Sequence, residues 1–118
     1  MRPARAGRKP CRIRPARRPG AAAPKMHVGV LTLHLSIEQA DSLKDKRQVV
    51  KSLAARIRNK FNVSVAEVDD LDVWRRATLG VVVVSNEAKF ANQVLSKVVD
   101  HVEDDFRVVL DDYGIEML

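Results

Sequence analysis

Between residues 44 and 60 stand seven cations, Lys44, Lys46, Arg47, Lys51, Arg56, Arg58 and Lys60, against a single acid, Asp45. This segment carries +6, while the rest of residues 26–118 carries −9. A run of that kind can bind anions, phosphate esters above all. At about 100° per residue, Lys44, Arg47, Lys51 and Arg58 fall within roughly a 60° arc of a helix. Lys44, Lys46 and Arg47 would occupy its first turn. Cations there oppose the macrodipole, yet they reinforce the attraction that free N–H groups already exert on phosphate. Lys44, Lys46, Arg47, Lys51 and Arg58 are therefore the candidate RNA or phosphate contacts. The competing reading is a solvated basic face balanced by the acids of the same domain.

Other reactive residue types form no constellation. Asp69, Asp70 and Asp72 could offer carboxylates to a divalent cation, but they lack the length and glycine pattern of a calcium loop and read as a hairpin turn. Asp111 and Asp112 have opposite strand parity, which suits acid/base partnership poorly. His27 and His34 point to opposite faces of one strand, and His101 lies elsewhere, so no histidine pair has metal-ligand spacing. Gly29, Gly80 and Gly114 form neither a phosphate loop nor a dinucleotide fingerprint. No motif marks a serine nucleophile. We expect no catalytic residues, no metal and no cofactor.

The chain has 118 residues, a length that suits one domain, and a net charge of +6. That charge is unevenly placed: residues 1–25 carry +9 and residues 26–118 carry −3. All five prolines and the one cysteine, Cys11, lie in the first 25 residues, of which 20 are Arg, Ala, Pro or Gly. Such a leader has little to bury and is expected to be disordered. Two readings of it stay open: a start that truly lies at Met26, or a basic arm for nucleic acid. A targeting peptide fits worse, for want of an apolar run and because prolines spoil an amphipathic helix. The cysteine-free remainder suits a reducing compartment. No apolar run approaches the roughly 18 residues of a membrane span.

The elements that must position these residues are legible in the spacing. Residues 26–37 alternate, with Leu31, Leu33, Leu35 and Ile37 on one face and Val28, Val30, Thr32 and His34 on the other. Ser42, with Asp45 three residues on, resembles a capping box opening a helix. Val50, Leu53, Ala54, Ile57 and Phe61 form its apolar stripe, and it ends near Asn59 and Lys60. Residues 62–68 predict a second strand and residues 73–84 a third, joined by the aspartate turn. Ser85 or Asn86 caps a second helix whose stripe is Phe90, Val94, Leu95, Val98 and Val102. Residues 106–118 hold a fourth strand, broken near residues 111–114. With right-handed crossovers, the order β-α-β-β-α-β makes an α+β, ferredoxin-like domain: a four-stranded antiparallel sheet with both helices on one face.

Three runs in this framework, SLKDKRQVVKSL (42–53), RNKFNVSVAEV (58–68) and WRRATLGVVVVS (74–85), make residues 26–118 resemble the bacterial YlxP-like family, a domain family of unknown function. Arg75 departs from the glutamine expected in many relatives. The resemblance implies a ferredoxin-like fold, a cytoplasmic bacterial protein and no established catalytic residues. Genes of that family often stand among genes of translation and ribosome maturation, an associational hint of a ribosome or RNA role.

Two function classes follow as expectations. The first is a non-catalytic accessory protein that contacts structured RNA or the ribosome through the basic helix. The RNA-recognition-motif mode is not expected, because the central strands lack the aromatics on which bases stack. The second is a homodimeric protein-interaction or regulatory module without nucleic-acid binding. It rests on Val28, Val30, Val82 and Val84, four valines on the sheet face that the helices leave open, which are the candidate interface.

Overall fold

The computed structural model describes residues 25–118, so the expectations for the leader lie outside the described residues. The chain runs β1 (His27–Ser36), α1 (Leu43–Lys60), β2 (Ser64–Asp69), β3 (Arg76–Ser85), α2 (Ala88–Glu103) and β4 (Val109–Met117). The four strands form one antiparallel sheet in the order β2-β3-β1-β4, the ferredoxin-like arrangement expected from the sequence. The two inner strands are the ones that alternate most strongly. Leu31, Leu33, Leu35, Ala77, Leu79, Val81 and Val83 are buried, and α1 and α2 cover them with Val50, Leu53, Ile57, Leu95, Val98 and Val102. Gly29 sits within this layer because a Cβ there would come within 2.8 Å of Leu95 Cδ1.

The caps differ in detail from the expected ones. The Ser42 hydroxyl accepts a hydrogen bond from the Asp45 amide at 3.1 Å, as a cap should. The Asp45 carboxylate reaches back one residue further than in a capping box, accepting from the Asp41 amide. The second helix is capped by neither Ser85 nor Asn86. Glu87 holds that position with no side-chain cap, and Ser85 Oγ accepts from the Glu87 amide instead.

Three further expectations are corrected. Phe90 is not on the core stripe of α2; it is exposed, and Ala91 takes the buried position, spaced with Leu95, Val98 and Val102. The third strand begins at Arg76, leaving residues 73–75 in the turn with Trp74 exposed. The fourth strand is continuous rather than broken: Asp111 is absorbed as one extra residue opposite the His34–Leu35 step, a β-bulge. Its carboxylate accepts a hydrogen bond from Ser36 Oγ. A second bulge lies on the other outer strand, where Val68 is extra between Glu67 and Asp69.

Candidate nucleic-acid interface

The residues of α1 divide sharply by their position around the helix. Lys44, Arg47, Lys51 and Arg58 are exposed and share the arc their spacing predicts. Lys46 does not join them. It falls in the middle of the apolar stripe and is fully buried. Its ammonium donates to the Glu67 carboxylate at 2.5 Å, to the Asp70 carbonyl at 2.7 Å and to the Leu71 carbonyl at 3.3 Å. An ammonium has three donors, and these three acceptors use them all. Lys46 therefore leaves the set of phosphate contacts. It is a tether that fastens α1 to the β2–β3 turn.

The remaining cations are held with different degrees of restraint. Arg47 lies 3.9 Å from Asp72, with both side chains well exposed, a pair of little energetic weight. The Arg58 guanidinium is 3.5 Å from the Val65 carbonyl, which turns it toward β2. Among the described residues, Lys44 and Lys51 take part in no salt bridge. Lys60 stands over the Phe61 ring at 5.8 Å. Arg56 points to the other side of the helix, 3.5 Å from Asp105.

Asp105 is the site the sequence did not disclose. It is buried, and Arg107 grips it twice, at 3.0 and 2.7 Å, while the Arg107 amide donates to the same carboxylate. The Arg107 hydrogen bond holds the Asp105 carboxyl below the usual carboxylate range, against the opposing effect of burial. The same bond raises Arg107. Arg107 also donates to Ser52 Oγ, so the α2–β4 loop is pinned to α1. Nothing in the run EDDFR singles out one aspartate; only the chain reversal that brings residues 105 and 107 against α1 does so.

The aspartate turn is likewise occupied internally. Asp70 takes a left-handed backbone conformation (φ 60°), its carboxylate accepts from Thr78 Oγ1, and its carbonyl accepts from Lys46. Asp69 accepts from the Asp70 amide. Of the histidines, His34 is exposed on the open sheet face and His101 packs edge-on to Phe61, with ring centroids 6.0 Å apart.

The open face carries Val28, Val30, Thr32 and His34 from β1 and Thr78, Gly80, Val82 and Val84 from β3, with no Phe, Tyr or Trp on either inner strand. Val84 is 62% exposed. Leu118 donates its amide to the Val28 carbonyl, which extends the β4 pairing and adds an exposed leucine beside the valines.

Residues 28–114 match the model of the family described as "Protein of unknown function (DUF503)". The chain belongs to this family. It is also similar to a protein named "Uncharacterized protein YlxP" from Bacillus subtilis (strain 168), 34% identical over 76 residues, which is 64% of this chain and 83% of that protein. The YlxP-like resemblance thus holds. The family span includes the whole of α1 and the four candidate interface valines. No helix among the described residues is long and apolar enough to cross a membrane.

Proposed function

We propose that the domain is a cytoplasmic, non-catalytic accessory protein that binds structured RNA, such as a ribosomal helix, through α1. The observation that carries this reading is the exposed stripe of Lys44, Arg47, Lys51 and Arg58 on a domain whose remaining charge is negative. From Lys44 to Arg58 the stripe spans about 21 Å of helix. Helix electrostatics alone explain only part of it. Arg58 sits in the last turn, where the dipole welcomes a cation, but Lys44 sits in the first turn, where the dipole opposes one. A phosphate ligand removes that conflict, because it is attracted by the lysine and by the helix end together.

With no Phe, Tyr or Trp on the inner strands, this mode reads backbone and shape rather than bases. Fluorescence anisotropy with a structured RNA, across a salt series, tests it. Affinity falls steeply with salt for the native chain, and the slope drops by about 1 for each phosphate that a substitution leaves without its cation. The variant K44E/R47E/K51E/R58E loses binding while keeping its circular dichroism spectrum. Lys46 is left intact, so a loss of binding is not a loss of fold. Unchanged binding by the quadruple variant would refute the proposal.

A further inference from the structure

We infer that the open face of the sheet is a self-association surface and that its occupant is a second copy of this chain. The argument begins with the register of the two inner strands. Val28 stands opposite Val84, Val30 opposite Val82, Thr32 opposite Gly80, and His34 opposite Thr78. Each row across the inner ladder therefore matches like with like: two rows of valine, one of small side chains, one of polar ones. Consider a two-fold axis parallel to the strands, midway between β1 and β3. It carries β1 of one copy onto β3 of the other without changing the row. Val30 then meets Val82 of the partner subunit and Val28 meets Val84 of the partner subunit, while Thr78, buried beneath Asp70, lies outside the contact. A face that is self-complementary in this way suits an isologous dimer, the commonest closed assembly.

The area is sufficient. Strands of 10, 6, 10 and 9 residues, at about 3.3 Å per residue and about 4.8 Å apart, make a face of roughly 550 Å². Two such faces bury about 1,100 Å², above the roughly 1,000 Å² that a biological interface needs. The surface is also level enough for face-to-face stacking, since Ala66, Gly80, Thr32 and Gly114 follow one another across its middle row. Val68 of the bulge leans over Gly80, 3.1 Å from where a Cβ would stand, and fills part of that shallow trough. Leu118 extends the apolar end beyond Val28. The carboxylates of Asp112 and Glu116 reach this face from the outer strand β4, in the rows of His34 and Val30, and border its apolar centre.

Sedimentation velocity of the full chain, after ribonuclease treatment, tests this at tens of micromolar. The native chain sediments as a dimer. Val82→Lys and Val84→Glu each raise the dissociation constant by about 100-fold or more, because a buried unpaired charge is introduced twice per dimer. Lys51→Glu, on the opposite side of the domain, leaves the dimer intact, so this inference and the RNA reading fail independently. If Val82→Lys does not fold, the already exposed Val84 position decides. A native chain that sediments as a monomer, or a Val84→Glu variant that remains dimeric, overturns the inference and leaves the face to a different partner.

Discussion

The Lys46 ammonium of α1 lies 2.5 Å from the Glu67 carboxylate of β2, with the lysine side chain fully buried and the glutamate partly so. Two charges removed from water gain little net stability from one another, but each becomes costly if the other is taken away. Lys46→Ala should therefore destabilise the domain by about 3–5 kcal/mol, and Glu67→Gln by a somewhat smaller amount. The paired change Lys46→Met with Glu67→Leu should recover much of the loss. Urea unfolding of the native chain, Lys46→Met, Glu67→Leu and the paired variant closes a double-mutant cycle that checks this; additive losses would show that the pair is not coupled.

Asp105 gives the acid flank of the stability curve a shape that can be measured. Its carboxyl is held low in the folded protein by Arg107, so the unfolded chain binds that proton more tightly. The stabilisation is complete above the unfolded value of about 3.9 and is lost as pH falls through the lower folded value. Asp105→Asn should cost about 1–2 kcal/mol at pH 7, from the loss of a charge-assisted bond. The gap between variant and native chain should close as the pH drops below about 4. A gap that stays constant down to pH 2 would contradict this assignment.

Glycine positions offer a contrast between two sites in neighbouring strands. Gly29→Ala would push a methyl group to 2.8 Å from Leu95 Cδ1 and 3.3 Å from Val83 Cγ1. Overpacking of that kind costs about 1–3 kcal/mol. Gly114 has nothing within 4 Å of an added Cβ, so Gly114→Ala should be neutral or stabilising by up to about 1 kcal/mol. Thermal melts of the two variants should move in different directions or by clearly different amounts.

Phe106 is 93% exposed and Phe90 52% exposed. Replacing either by Ser should change stability by no more than about 0.5 kcal/mol, as for most surface positions. Phe61, half-buried against the core and against His101, should lose substantially more on the same change. Chemical denaturation of the three variants separates them.

These contrasts mark where the sequence is legible. The alternation of Leu31, Leu33 and Leu35 and the spacing of Val50, Leu53 and Ile57 are the direct signature of one-sided burial, and both stripes are buried as expected. Phe90 misleads because hydrophobicity alone says nothing about reach: α2 meets the sheet through Ala91, and Phe90 is left exposed. Lys46 reads as a surface cation because charge usually implies exposure. Its position at the centre of the apolar stripe is the available signal, since a helix cannot turn Val50 and Ile57 inward without taking Lys46 with them. Glu67, by contrast, shares the parity of Val65, so its inward direction is legible once the second strand is placed. Asp105 is not legible at all, because its partners come from a different helix and from two residues further along a loop.

Both outer strands are interrupted in the same manner. β2 carries the extra Val68 between Glu67 and Asp69, and β4 carries the extra Asp111 beside Asp112. A bulge breaks the even spacing of free N–H and C=O groups that a foreign strand would need to dock, and the flanking carboxylates repel a like-charged edge. Growth of the sheet sideways, from molecule to molecule, is thereby blocked at both margins. Run-on association through the strand edges is disfavoured, despite the valine-rich middle of the sheet.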